Sequence, residues 1–223
     1  MIPGIRLVLL GKQGAGKGTQ CVRLARHYVV SHISTGDMFR AALRTGSDWG
    51  RQIRAYLDEG ELVPDEITLG MVADRLAHHD TQSRGFILDG FPRTFPQAEG
   101  LTKILEPHGL DMAIDLHIST DEALTRLAGR RVCSTCGGIY NVRKPPRYDW
   151  TCDNCGGEVV QRDDDTDDAI RRRLSLYESD TAPLLEYYGD LGLLVTVDAL
   201  GDADAVADRL VEAIDRHREP STP

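Results

Sequence analysis

The sequence has no excess of basic residues, no long apolar run and few cysteines. Its 223 residues include 26 Lys and Arg against 35 Asp and Glu, which gives a formal net charge of −9 at pH 7. A surface that binds nucleic acids generally is basic, so this balance argues against that class of function. No apolar run approaches the roughly 20 residues of a membrane helix. The length suits one well-packed domain with small inserts.

The start of the chain also lacks the features of a secreted protein. It has neither the basic segment nor the long apolar core of a signal peptide. We therefore expect a cytoplasmic protein without a membrane or nucleic-acid partner. Nothing in the sequence requires an oligomer, so a monomer is expected.

The five cysteines suit a metal site better than disulfides, because cytosolic thiols stay reduced. Four of them form two pairs, Cys133-x2-Cys136 and Cys152-x2-Cys155, with 15 residues between the pairs. This spacing is typical of a four-thiolate zinc site that leaves no position for water, so the zinc is predicted to be structural. One pair alone could serve a thioredoxin-like redox role, which the second pair disfavours. The remaining Cys21 falls on an apolar helical face and is expected to be an inert core residue.

A glycine-rich segment near the start has the pattern of a phosphate-binding loop. Gly11 to Gln20 follows an apolar run and continues into a helical pattern. Its glycines let backbone N–H groups converge on phosphate oxygens, and Lys17 adds a cation at the start of the next helix. A plain glycine-rich turn with a surface lysine is the alternative, which this strand–helix context disfavours. Gly18 stands where Ser or Thr usually ligates Mg²⁺, so the metal would be held mostly through water and ligand phosphates.

Apolar runs alternate with helical patterns along the chain, which predicts an α/β fold with a parallel sheet flanked by helices. The predicted strands are 5–10, 30–33, 85–89, 112–118 and 193–198. Between the second and third strands, the segment 34–63 reads as a helical insert. Its first helix is predicted near 37–45 with Gly46 as its C-cap, and its second helix runs to Gly60.

The third predicted strand ends in a carboxylate, Asp89. In phosphate-loop proteins an acid at such a strand end commonly orients the water shell of the metal. A lone strand-end Asp is as often a helix cap, so the residues themselves leave both roles open. Arg93 and Gln97 follow on the loop and helix start that face the same edge of the sheet.

Four separated motifs resemble those of adenylate kinases. They are Gly14–Gln20, Ile33–Met38, Leu88–Thr94 and Gly129–Val132, and the resemblance extends through Thr181–Leu184. It implies a phosphate-loop fold in which Mg·ATP transfers a phosphoryl group reversibly to AMP, giving two ADP. It divides the chain into a core (1–33, 64–128 and 166–223), an AMP-binding insert (34–63) and a zinc-binding lid (129–165).

The resemblance also implies a role for individual residues. ATP would be held by Gly14, Ala15, Gly16, Lys17, Gly18, Thr19, Arg126, Arg130, Tyr140 and Gly201. AMP would be held by Thr35, Arg40, Glu61, Leu62, Val63, Gly90, Arg93, Gln97, Arg162 and Arg173. The catalytic residues would be Lys17, Arg93, Arg130, Arg162 and Arg173. Asp89 would lie in the outer shell of the Mg²⁺ that accompanies ATP. The four paired cysteines would bind zinc.

Two positions depart from the family pattern. Gln13 stands where that family often has proline, and Asp163 stands where lysine is common. The run 163–168 is expected to be a solvated hinge face, in which Asp164 and Asp165 could pair with arginines of the lid.

Two alternatives remain open at this stage. A relative that uses GTP as donor, or one that phosphorylates another nucleoside monophosphate, would share these motifs, although Thr35 and Gln97 favour AMP. The paired cysteines could instead form a zinc ribbon that binds nucleic acid, with the phosphate loop as an ATPase. Between its two cysteine pairs the lid offers only Arg143, Lys144 and Arg147 as basic residues, which is too few for a groove that follows a nucleic-acid backbone.

Overall fold

A computed structural model of the chain describes residues 4–46, 48–59, 61–162 and 165–218. The strands are β1 (Ile5–Leu10), β2 (Ser31–Ser34), β3 (Gly85–Asp89), β4 (Met112–His117), β5 (Arg130–Cys133), β6 (Ile139–Asn141), β7 (Val159–Val160) and β8 (Leu194–Asp198). The helices are α1 (Lys17–Tyr28), α2 (Thr35–Thr45), α3 (Asp48–Asp58), α4 (Asp65–Leu76), α5 (His79–Arg84), α6 (Phe95–Ile104), α7 (Thr120–Ala128), α8 (Asp167–Leu176), α9 (Pro183–Asp190) and α10 (Ala203–Arg218). A π-helical turn, Tyr177–Thr181, joins α8 to α9.

The predicted five-stranded parallel sheet is confirmed, with strand order β2-β3-β1-β4-β8. The five predicted strands are all present; the second is shifted by one residue, and the fourth and fifth are each one residue shorter at one end. Because β1 lies at the centre, both of its faces are covered. Leu7 and Leu9 enter the core on one face of the sheet, while Val8 and Leu10 enter the core on the other. This alternation follows from the two-residue period of a strand.

The parallel arrangement brings the carboxyl ends of all five strands to one edge. Leu9 of β1 pairs with Asp89 of β3, and Ser34 of β2 pairs with the same residue from the other side. Ligands of open parallel sheets bind outside this edge, where the loops after the strands converge. The glycine-rich segment after β1 and the carboxylate that ends β3 therefore lie side by side.

The helical insert has a small core of its own. Phe39, Ile53 and Val63 form a buried cluster separate from the two clusters on the sheet. The first helix starts at Thr35, two residues before the predicted start, because Ser34 is its N-cap and accepts a hydrogen bond from the Asp37 amide. Its predicted end at Gly46 is confirmed by a left-handed C-cap. The predicted end of the second helix at Gly60 lies outside the described residues.

The segment between α7 and α8 forms a separate antiparallel sheet with the order β6-β5-β7. Its buried apolar cluster consists of Cys133, Cys152 and Val159, with Tyr140 packed against them. So small a cluster is a weak core, since burying apolar surface contributes only about 25 cal/mol per Å². Among the described residues, no helix is both long and apolar enough to cross a membrane.

We expect the insert to unfold while the sheet stays folded if the core of the insert is weakened. Ile53 is fully buried there, and Ile53→Ala should cost the insert about 2–5 kcal/mol, as large-to-small core changes do. Amides of α2 and α3 should then exchange with deuterium faster, while those of β1 should stay protected. The surface change Glu59→Ala in the same segment is the control. Equal acceleration in β1 would show that the insert and the sheet unfold as one unit.

Candidate functional site

The glycine-rich loop after β1 leaves backbone donors exposed at the start of α1. Gly14 and Gly16 have φ values of 86° and 99°, in the left-handed region that only glycine adopts without strain. A Cβ at Gly14 would lie 2.8 Å from the Ala123 carbonyl oxygen, so the loop also packs too closely for another residue. Gly16 is the N-cap of α1 and offers no side chain to its first amides. Those amides are therefore available to an anion, as the sequence predicted.

Lys17 is held over this loop by the loop's own carbonyl groups. Its Nζ donates to the Gly11 oxygen at 2.6 Å and to the Lys12 oxygen at 2.9 Å. Burial lowers the pKa of Lys17 to about 8, and the nearby carboxylate of Asp89 opposes this shift. The ammonium group is thus desolvated and lies where the amides converge, which makes it a strong partner for phosphate.

Asp89 ends β3 beside the first turn of α1. A Cβ at Gly18 would lie 3.3 Å from its Oδ2 atom, so a serine or threonine there would crowd the carboxylate. The Asp89 side chain is mostly buried. The donor set fits a magnesium ion held through water, because a carboxylate faces the loop and the residue directly after Lys17, Gly18, has no hydroxyl. Ile139 of β6 also approaches Gly18, so the small antiparallel sheet covers this part of the loop.

The Arg93 guanidinium lies over the end of β3. Its Nε donates to the Gly90 carbonyl oxygen at 2.7 Å, and the Thr35 hydroxyl donates to the same oxygen at 3.0 Å. A side chain at Gly90 would place its Cβ 2.9 Å from an Arg93 terminal nitrogen. Thr181 donates to the Arg93 carbonyl oxygen at 2.9 Å, which fixes the backbone. Burial lowers the pKa of Arg93, and Asp89 opposes this effect.

Gln97 is buried behind Arg93, at 2% exposed. Its Oε1 accepts from the Arg93 amide at 2.8 Å, and its Nε2 donates to Asp65 at 2.7 Å. Thr94, the N-cap of α6, donates to the same carboxylate oxygen. An amide has two donor hydrogens and two acceptor lone pairs, so Gln97 keeps one of each for a ligand.

Arg130 and Arg173 share one buried carboxylate. Asp165, whose side chain is fully buried, accepts from Arg130 through both oxygens and lies 3.4 Å from Arg173. The prediction that Asp165 pairs with an arginine of the lid is confirmed. Asp163 and Asp164 lie outside the described residues. Arg130 also lies close enough to Lys17 to oppose the charge of its ammonium.

The insert contributes further charged residues to this edge. Arg40 pairs with Asp37 at 2.5 Å. Burial acts against ionisation of Asp37, but the hydrogen bond from Arg40 and the charge of Arg162 outweigh it and lower the pKa. The charge of Arg162, which follows the small antiparallel sheet, therefore acts on the first turn of the insert. Glu61 pairs with Arg172 of α8.

For the remaining predicted residues of the insert and the loop, the structure gives their burial and few side-chain contacts. Leu62 is half-buried and Val63 belongs to the core of the insert. The Val63 carbonyl oxygen accepts from Thr68 at 3.3 Å. Ala15 is buried in the loop, and Thr19 lies half-buried in the first turn of α1.

Arg126 links the loop to the segment after β8. Its guanidinium donates to the Ala199 carbonyl oxygen at 3.0 Å, to the Ala15 oxygen at 3.4 Å and to Glu122 at 2.6 Å. Gly201, with φ of 105°, follows closely in the same segment. Arg126 therefore contacts the segment in which Gly201 lies, two residues before it.

The four paired cysteines converge at the end of the small antiparallel sheet. Their sulfur atoms all lie within 4.8 Å of one another, and the two closest pairs, Cys133 with Cys155 and Cys136 with Cys152, are 3.5 Å apart. A disulfide would need about 2.05 Å. Thiolates around a tetrahedral zinc with bonds of about 2.3 Å lie about 3.8 Å apart, so the geometry fits zinc.

Tyr140 supports this cluster. Its hydroxyl donates to the Cys152 sulfur at 3.4 Å and accepts from the Asp153 amide at 2.8 Å. The hydrogen bond from Tyr140 lowers the pKa of Cys152 to about 6, which favours the thiolate that a metal needs. The hydroxyl end of Tyr140 therefore belongs to the cysteine cluster, and its predicted position near the base of ATP stays a prediction.

Some residues that hold the predicted site residues in place were not predicted from the sequence. Asp65 holds Gln97, and Thr181 holds the backbone of Arg93. Asp65 follows Pro64 at a helix start, where an acid is explained by helix capping alone. His32 lies 3.4 Å from Asp89, and nothing in its strand pattern sets it apart.

Comparison with known proteins gives one consistent family. The adenylate kinase family model matches residues 9–193. The chain is 47% identical over 214 residues to an adenylate kinase of Streptomyces griseus, covering 94% of this chain and 97% of that protein. It is 46% identical over 215 residues to one of Thermodesulfovibrio yellowstonii, covering 95% and 100%. An adenylate kinase of Methanococcoides burtonii is 44% identical over 217 residues, covering 96% and 100%.

We expect the cysteine cluster to bind one zinc ion that supplies most of the folding energy of its sheet. Structural zinc contributes about 10 kcal/mol or more in isolated small domains, far more than the apolar cluster there. A chelator, or Cys152→Ser, should lower the melting temperature and speed exchange in β5 to β7, while β1 stays protected. The matched control is Ser134→Ala beside the first pair. Metal analysis that finds no zinc in protein purified under reducing conditions would refute the site.

Proposed function

The chain belongs to the adenylate kinase family and catalyses its phosphoryl transfer between ATP and AMP, and we propose that the sheet edge divides this work between two sides. ATP binds at the loop 11–17, and AMP binds between the insert 34–63 and the start of α6. The observation that carries this assignment is a group of neighbouring cations: burial lowers the pKa of both Lys17 and Arg93, and Arg173 lies close enough to Arg93 to lower its pKa further.

On the ATP side, the amides at the start of α1 and the Lys17 ammonium hold the β- and γ-phosphates. When ATP enters, its oxygens replace the two carbonyl oxygens to which Lys17 now donates. Arg126 and Gly201 border the position of the adenine, where Arg126 offers a flat guanidinium for stacking. Gly14, Ala15, Gly16, Gly18 and Thr19 complete the loop around the phosphates.

On the AMP side, Gln97 presents one free donor and one free acceptor to the edge of adenine, which carries both. Arg40 and Arg93 bind the phosphate of AMP, and Thr35 and Gly90 lie beneath it. Glu61, Leu62 and Val63 line the base pocket, largely through their backbone. The burial of Gln97 and its fixed hydrogen bonds support discrimination, because a wrong base would leave its amide unpaired.

The transfer itself needs positioning and charge rather than a covalent intermediate. An oxygen of the AMP phosphate attacks the γ-phosphorus of ATP, and the bond to the oxygen bridging the β- and γ-phosphates breaks, leaving ADP on each side. Negative charge spreads over the transferring group, and Lys17, Arg93, Arg130, Arg162 and Arg173 are placed to stabilise it. Asp165 keeps Arg130 and Arg173 directed at this space until the phosphates arrive.

Members of this family use Mg²⁺ with ATP, and the donors present fit that role. Bound to the phosphates, the ion neutralises charge on their oxygens. Asp89 would hold it through water molecules, since Gly18 leaves space at that position.

The sheet β5 to β7 acts as a lid that excludes water from the transfer. It already contacts the loop through Ile139, and the cysteine-bound zinc keeps it rigid. We also propose that the enzyme is monomeric and cytoplasmic and binds no nucleic acid or membrane.

The acceptor preference is tested by incubating the enzyme with Mg·ATP and each nucleoside monophosphate in turn. AMP should be turned over fastest, and ADP alone should give ATP and AMP. Gln97→Ala should reduce the preference for AMP over CMP and UMP, whereas Gln82→Ala on the surface of α5 should not. The same assay with GTP in place of ATP tests the donor. Equal turnover with UMP, CMP or GMP would refute the assignment of Gln97.

The lowered pKa of Lys17 predicts that the affinity for ATP depends on pH. Its pKa is about 8 in the free enzyme because of burial, and the phosphates of ATP should raise it. ATP binding must then take up a proton above pH 8, and the Kd should rise by up to tenfold per pH unit between pH 8 and 10. Calorimetry in two buffers of different ionisation enthalpy measures the uptake. The matched control is Lys17→Arg, whose guanidinium does not titrate. A pH-independent Kd in both proteins would place Lys17 away from the phosphates.

A further inference from the structure

A second group of metal-binding side chains lies beside the transfer site. One ligand atom each of Cys21, His32 and Asp89 lies within 4.8 Å of the others. They come from α1, from β2 and from the end of β3. Among the described residues, this and the four cysteines of the lid are the two groups of three or more such side chains that could hold one metal ion.

The distances in this group approach those of a bound metal. The His32 Nε2 atom lies 3.4 Å from the Asp89 Oδ2 atom. Two ligands with bonds of about 2.1 Å to a tetrahedral zinc ion lie about 3.4 Å apart. A nitrogen and an oxygen are therefore already at the spacing that one ion requires, and a small rotation of Cys21 or a slight shift of α1 would bring in the sulfur.

The His32 nitrogen also has no better partner. Nε2 is buried and makes no hydrogen bond within the part of the chain that the structure describes. A buried polar atom without a partner costs about 1–3 kcal/mol. Coordination of a metal would satisfy this atom.

We propose that Cys21, His32 and Asp89 form a second binding site for a soft divalent cation such as Zn²⁺, and that its occupation inhibits phosphoryl transfer. Thiolate, imidazole and carboxylate are the ligands that zinc prefers, and three of them leave a fourth position for water. Mg²⁺ prefers oxygen ligands in an octahedral arrangement, so it would not compete for the thiolate and the imidazole.

Inhibition follows from the double use of Asp89, and this half of the proposal rests on the proposed function. A carboxylate bound to zinc is withdrawn from the water shell of the Mg²⁺ that accompanies ATP. Lys17 lies close enough to interact with both Asp89 and Cys21, so a bound cation would also repel its ammonium. The same repulsion makes this site weaker than the four-cysteine site, which should fill first.

The test uses full-length enzyme that already carries one zinc per chain in its lid. Further Zn²⁺ is added in the micromolar range, bound metal is measured by equilibrium dialysis, and activity is measured in parallel at fixed Mg·ATP. We compare the wild type with His32→Asn and Cys21→Ala, since neither residue is among those proposed to bind the nucleotides. His79→Asn, on the surface of α5, is the matched control. Zinc bound to ATP in the assay affects all four proteins equally.

A second equivalent of zinc should bind to the wild type and to His79→Asn, with inhibition in step. In the two site variants, which each lose one of three ligands, zinc binding and inhibition by zinc should both weaken at least tenfold. Even changes to outer-shell partners of metal ligands lower metal affinity by about 10–100-fold. Because Cys21 is fully buried, Cys21→Ala could fold poorly, and His32→Asn then carries the test. Binding that stops at one equivalent, or that is the same in all proteins, would overturn the proposal. A second equivalent without inhibition would overturn the role of Asp89 while leaving the acceptor assay unaffected.

Discussion

Unbalanced positive charge at one edge of the sheet is the constraint on which the site depends. Burial lowers the pKa of Arg93, and the charges of Arg173 and Arg40 lower it further, while burial and the charge of Arg93 lower the pKa of Lys17. Two carboxylates offset this, Asp89 at the end of β3 and Asp165 between two arginines. The cations are therefore ordered before phosphate arrives, and no reorganisation is needed when negative charge develops during transfer.

The two segments beside this edge maintain their shape in different ways. The insert has a small apolar core around Ile53, whereas the sheet β5 to β7 has little apolar surface to bury besides its cysteines. Metal coordination by the four cysteines would replace a core there, because four bonds to one ion fix four points of the chain at once. The Tyr140 hydroxyl contributes by favouring the thiolate form of Cys152. Tyr140 thus couples β6 to the cluster.

The sequence predicted those parts of the site that depend on neighbours in the chain. The loop with Lys17, the four cysteines and the strand ending at Asp89 all follow from local patterns. The contacts that join distant segments could not be predicted this way. Asp65 meets Gln97 across 32 positions and Thr181 meets Arg93 across 88. Their pairing depends on how helices rotate and pack on the sheet, which the pattern of apolar residues fixes only within a turn.

The insert and the lid are also linked to each other, and this link bears on catalysis. Arg172 of α8 pairs with Glu61 at the end of the insert, and Arg162 lowers the pKa of Asp37 at the start of α2. Charged side chains at both ends of the insert therefore face the end of the lid or the helix that follows it. A movement of either segment would change these pairings, so we expect closure on the proposed AMP side and closure on the proposed ATP side to influence each other. Such coupling would keep the transferring group away from water until both nucleotides are bound.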